Sequence, residues 1–180
     1  MNREVIEFTI ERLLTIANDE ALRDHFDLGF WANGLETHEL DQPEDQSCGF
    51  SGCVMGWAVH QQWYAQWGLH LGFTQNPLPF TENPKHVIQP EVLDESELRF
   101  RPYLKGPDRY KSQHATEAVA ELLGLDLATF EKVIYEEAYE NEEATALMVA
   151  ERLQEILDLG EESFMRVQIG REEQWVQDAR

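Results

Sequence analysis

Both cysteines of the chain and a nearby histidine stand in C-G-F-S-G-C-V-M-G-W-A-V-H, from Cys48 to His60. Thiols and imidazoles ligate zinc or form nucleophile–base pairs, so any chemistry is sought here first. Three readings compete. In one, Cys48 and Cys53 hold zinc; their C-x4-C spacing lies at the edge of the structural-zinc range, and His38 and His60 would complete the site only by folding together. In another, Cys53 is a thiolate nucleophile activated at a helix N-terminus with His60 as its base. Two helical turns, roughly 10 Å by the rise per residue, separate these two residues, beyond the reach of a nucleophile–base hydrogen bond. In the third, both cysteines are small buried groups packed beside aromatics. Gly49 and Gly52 permit a tight path and Ser51 is suited to cap the helix that follows. Cys53 then falls in the first turn, and Cys53, Trp57, His60, Tyr64 and Trp67 share one stripe. Gly52 and Gly56 leave a smooth spot where another helix, or the turn F-D-L-G-F-W, approaches closely. The structural reading leads, with no cofactor expected and zinc as the alternative.

Other catalytic patterns are absent from the sequence. It has no P-loop and no H-E-x-x-H, and G-F-S-G-C places Cys53 where G-x-S-x-G needs glycine. No histidine follows a Glu by three residues, as a di-iron carboxylate bundle requires.

Charge offers two further candidates. The chain carries 35 acidic and 14 basic residues, a formal net charge of −21. Such a molecule repels nucleic acid and anionic membranes at long range and attracts basic surfaces. Glu136, Glu137, Glu140, Glu142 and Glu143 crowd the stretch E-E-A-Y-E-N-E-E. They lack the glycine-turned loop of an EF-hand, so a solvated helix junction or a partner-binding face is expected there. The opposite case is R-F-R-P-Y-L-K-G-P-D-R-Y-K, where Arg99, Arg101, Lys105, Arg109 and Lys111 interleave with aromatics. Such a segment grips phosphates and stacks bases, or docks onto the chain's own acidic helices. The second role is favoured in so acidic a molecule, and direct nucleic-acid binding is not expected.

The elements that must position these residues are mostly helical. At 180 residues with 42% hydrophobic content, the chain suits a single domain with its own core. No apolar run approaches a membrane span, and Glu4, Glu7 and Glu11 interrupt the N-terminal apolar positions, unlike a secretory signal. A cytoplasmic protein is expected. Asn2 is suited to cap a first helix reaching about Asp19, with Ile6, Ile10, Leu13 and Ala17 on its inner stripe. A second helix starts near Cys53. Pro77, Pro79, Pro84 and Pro90 exclude helix from the next stretch, an irregular insert over about 74–111. Within it, Val87-Ile88 and Leu98-Arg99-Phe100 are compatible with a small β-hairpin. Helix resumes from Gln113 and stops at Gly124-Leu125. Asp126 caps the next helix, and Asn141 opens another that runs through Val149, Leu153 and Ile156 to Gly160. The tail 161–180 is expected to continue as a short helix or to be mobile. The sum is a mainly α, compact domain of about five helices.

F-D-L-G-F-W-A-N-G followed by C-G-F-S-G-C-V-M-G-W-A resembles a pattern in small, uncharacterised proteins of phages, prophages and some bacteria. There an F-D-M-x-x-W segment precedes C-G-T-x-x-C-I-A-G-W-A, and later helices of L-L-G-L and V-A-x-R-I type correspond to A-V-A-E-L-L-G-L and M-V-A-E-R-L here. Phe50, Ser51 and Met55 depart from it. The resemblance implies phage or mobile-element ancestry and residence in a host cytoplasm, with no functional residue to carry over. The expected function is therefore non-enzymatic: an acidic accessory protein that binds a basic macromolecule, as a nucleic-acid mimic does. The alternative is a metal- or thiol-dependent enzyme centred on Cys48, Cys53 and His60.

Overall fold

A computed structural model describes residues 1–28, 52–75, 100–104, 115–135, 138–139 and 144–178. The described chain is mainly helical, in the order α1 (Arg3–Asn18), α2 (Glu20–Arg23), α3 (Val54–His60), β1 (Leu71–Gln75), β2 (Phe100–Leu104), α4 (Ala115–Leu123), α5 (Leu127–Ile134), α6 (Ala146–Leu159) and α7 (Glu161–Asp178). Among the described residues no helix is long and apolar enough to cross a membrane.

The core forms where the apolar stripe of α1 meets α6. Val5, Ile6, Leu13 and Ile16 on one helix, and Val149, Leu153 and Ile156 on the other, are essentially closed to water. Each such side chain contributes about 1.5–3 kcal/mol of burial. The end of α1 is built twice over. The carbonyl of Asn2 accepts from Ile6 and starts α1, as an N-cap does, at 3.1 Å. Its side chain does not cap α1; its Nδ2 donates to the Leu122 carbonyl at 3.2 Å, and its backbone N–H donates to Leu123 at 2.6 Å. One residue thus starts α1 and satisfies two orphan carbonyls of α4. The stop expected at Gly124-Leu125 is present. Gly124 adopts φ 66°, its N–H donates to Glu121 and the Leu125 N–H donates to Ala120, the paired bonds of a Schellman turn.

Other boundaries differ from expectation. Thr145, not Asn141, is the N-cap of α6, its hydroxyl accepting from the Met148 N–H at 3.3 Å. Asp126 occupies the N-cap position of α5 without a side-chain bond; its own N–H donates to the Glu161 carboxylate at 2.6 Å. The tail forms an eighteen-residue helix, α7. It folds back along α6 after Gly160, burying Phe164 and Gln168 and setting the Arg171 guanidinium on Glu155 at 2.8 Å. In the ribbon, β1 pairs antiparallel with β2 in the register Leu71 with Leu104 and Gln75 with Phe100. Phe100 therefore faces a strand earlier than the one expected for it; Val87, Ile88 and Leu98 lie outside the described residues.

Candidate functional site

The cysteine segment is held at its start by a short parallel bridge between Phe26 and Gly52. The Gly52 N–H donates to His25 at 2.9 Å and the Asp27 N–H to Gly52 at 3.1 Å, so the F-D-L turn does approach this glycine. Cys53 follows as the N-cap residue of α3, one position ahead of the first turn; Ser51 and Cys48 lie outside the described residues. Cys53 is buried, with 4% of the residue exposed. Burial pushes the Cys53 thiol up to about 11, with the backbone N–H groups of Gly56 and Met55 offsetting only part of the rise. At neutral pH it is therefore a thiol rather than the thiolate a nucleophile needs. His60 ends α3, its ring edge-on to Trp57 at 6.0 Å. Among the described residues no three His, Cys, Asp or Glu side chains converge as metal ligands do. Cys48 and His38 are not among them.

The single stripe expected from Cys53 to Trp67 is broken. α3 spans only seven residues, because Gln62 turns to φ 50° and closes a second Schellman turn: Gln62 donates to Val59 and Trp63 to Ala58. A non-glycine residue pays about 1–2 kcal/mol for this left-handed conformation. The Gln62 side chain compensates, its Nε2 donating to the Val59 carbonyl at 2.8 Å and the Leu71 carbonyl at 2.9 Å. Tyr64 is then directed into the core, where its hydroxyl meets Thr9 Oγ1 at 3.2 Å. Since the Thr9 hydroxyl donates to Val5 at 2.8 Å, Tyr64 is the donor in that pair. Trp67 lies on a short 3-10 turn, Ala65–Trp67, edge-on to Phe8 of α1 at 5.1 Å.

This break opens a cavity of about 370 Å³ between α1 and the end of α3, lined by Phe8, Arg12, Gln61, Gln62, Trp63 and Gln66. The sequence signal was Q-Q-W-Y-A-Q-W, which helical spacing alone assigned to a continuous stripe. A second, more open groove of about 670 Å³ runs along α1 to the start of α2. Ile10 and Leu14 line it together with Thr15, Asn18 and the carboxylates of Glu7, Glu11, Asp19 and Glu20.

Within the acidic stretch, Ala138 and Tyr139 are described, and both meet a buried cation. Arg152, on α6 and 7% exposed, donates to the carbonyls of Lys132 and Ala138 and stacks on the Tyr139 ring at 3.5 Å. The Tyr139 hydroxyl donates to Val133 at 2.7 Å, and burial raises it above the ordinary phenol range despite the guanidinium. Arg152 and Tyr139 thereby satisfy carbonyls at the C-terminal end of α5. Glu136, Glu137, Glu140, Glu142 and Glu143 lie outside the described residues. So do Arg99, Lys105, Arg109 and Lys111; Arg101 stands in β2 opposite Thr74.

None of the known protein families, curated proteins or solved structures compared with the chain matches it.

Proposed function

We propose that the protein is a non-enzymatic accessory protein that binds a macromolecule through an acidic surface, the partner presenting a basic face. The observation that carries this reading is the net charge of −21. Where the structure describes the surface, its cations are largely neutralised. Arg3, Arg23, Arg166 and Arg171 each sit against a carboxylate, and Arg152 is buried. The groove along α1 presents four carboxylates and no cation. A field of this kind steers basic partners and raises their association rate, an effect that salt weakens. The likeness of the cysteine segment to phage proteins adds a host cytoplasm as the setting and a nucleic-acid-binding protein as the fitting target.

The test is affinity capture from bacterial lysate at low salt and at high salt, with three proteins. These are the wild type, a Glu7→Lys, Glu11→Lys, Glu20→Lys variant, and a variant with lysine at 136, 137, 140, 142 and 143. A captured basic protein, confirmed with purified components, should be lost at high salt and with at least one variant. A direct partner indifferent to salt and to both variants would overturn the proposal.

A further inference from the structure

The cavity beside Gln62 has a donor and acceptor pattern that can be read from its own hydrogen bonds. The Trp63 indole N–H only donates, and it points to Gln61 Oε1 at 2.8 Å, so the Gln61 amide nitrogen is turned away from the indole. Both partners of Gln62 are carbonyls, which only accept; its Nε2 is committed to Val59 and Leu71, and its Oε1 is left as an acceptor. Gln66, on the rim, is exposed.

Arg12 supplies the charge. Its guanidinium lies over the Phe8 ring, 4.7 Å from the centroid, and no ion pair holds it among the described residues. This is unusual company for an arginine in a chain with 35 acids. Phe8 is itself buttressed by Trp67, so the guanidinium rests on a fixed aromatic platform with its donor edges left for a ligand.

We propose that this cavity binds a carboxylate flanked by an amide N–H, the chemistry of an N-acylated amino acid or of a peptide C-terminus. The carboxylate pairs with Arg12 and the Gln61 amide nitrogen, and the adjacent N–H donates to Gln62 Oε1. Arginine suits the first contact because its planar fork matches a carboxylate in two bonds. Glutamine at position 62, where a left-handed turn ordinarily takes glycine, then has two roles: it closes the turn and presents the acceptor. The site is separate from the acidic groove and does not depend on the macromolecular partner.

The experiment is a titration of the full chain, followed by the Trp63 indole and glutamine side-chain amide resonances. The probes are N-acetylalanine, N-acetylalanine amide, and an acetylated hexa-alanine ending in a carboxylate. N-acetylalanine should shift the Trp63, Gln61 and Gln62 signals with a dissociation constant on the order of 1 mM, and the amide should not. Arg12→Gln, on an exposed helix position, should leave the helical signal and urea midpoint unchanged while weakening the acid by about ten-fold or more. If the hexapeptide binds about ten-fold tighter than N-acetylalanine, peptide C-termini are the source; if it does not, small acids are. Equal binding of acid and amide, unaltered binding by Arg12→Gln, or no shift at about 50 mM acid overturns the proposal.

Discussion

Adding one methyl group at Gly124, Gly160 or Gly170 should change stability in three different ways, because the three glycines meet different surroundings. At Gly124 the backbone has φ 66°, and an alanine Cβ would lie 2.9 Å from the Cα and N of Met1 and 3.0 Å from the Asn2 N. These neighbours are backbone atoms, so the N-terminal residues must move. Movement stretches the two bonds from Asn2 to Leu122 and Leu123, each worth about 1 kcal/mol. The left-handed conformation adds about 1–2 kcal/mol, and the stiffer unfolded chain returns about 0.4–1 kcal/mol. The net loss is about 2–4 kcal/mol. Gly160 also has positive φ, 78°, but nothing lies within 4 Å of the added atom. There only conformational strain acts, about 1–3 kcal/mol before the same entropic return. Gly170 lies within α7 with nothing within 4 Å, so Gly170→Ala should stabilise by about 0.5–1 kcal/mol through helix propensity. Urea unfolding of the four proteins, compared at a common m-value, gives the differences directly. Asn2→Ala serves as a control and should lose about 1 kcal/mol, the side-chain part of the contact. If Gly124→Ala costs no more than about 1 kcal/mol, the conformational part alone after the entropic return, the close approach of Met1 and Asn2 to α4 is not a stabilising contact, and the reasoning fails.

Other expectations follow from buried polar groups. The raised Cys53 thiol predicts alkylation that is slow at neutral pH and accelerates only with denaturant; rapid native-state labelling would contradict its burial. The same group is protonated more firmly when folded than unfolded, so its stabilising contribution is complete below the ordinary value of 9.0 and lost as pH rises to about 11. The unfolding free energy should therefore fall across that window by up to about 3 kcal/mol, and Cys53→Ala should remove that part of the alkaline loss. Tyr64, raised to about 12, extends the decline further into alkali. Tyr64→Phe should cost about 1 kcal/mol at neutral pH by withdrawing the donor from Thr9. Arg152→Met removes the guanidinium from two carbonyls and from the Tyr139 ring and should destabilise by about 2–4 kcal/mol in thermal or urea unfolding. Arg152→Lys should recover only part of that, since an ammonium lacks the fork.

The features already legible in the residues were the local ones. The inner stripe of α1 and the stop at Gly124-Leu125 depend on neighbours within five positions, and bonds of that span are encoded by spacing and by glycine's tolerance of positive φ. The approach of the F-D-L turn to Gly52 could also be anticipated, because a residue without Cβ admits another backbone. Tertiary structure decided the rest. Nothing within Q-Q-W-Y announces that α3 ends there: Gln62 holds its left-handed turn partly through the carbonyl of Leu71, nine residues later. Without that end there is no cavity beneath Arg12, so this candidate site escaped a periodicity reading. Asn141 and Thr145 both belong to good N-cap types, and composition alone could not choose between them. Arg152, in a stretch that reads as one more amphipathic turn, is buried because Lys132 near the end of α5 and Ala138 beyond it bring carbonyls to it from twenty and fourteen residues away. Asn2 reaches α4 across 120 residues to complete that helix's end. Sequence determines what each short segment prefers, whereas unsatisfied helix ends are paired by whatever distant group the packed core brings near.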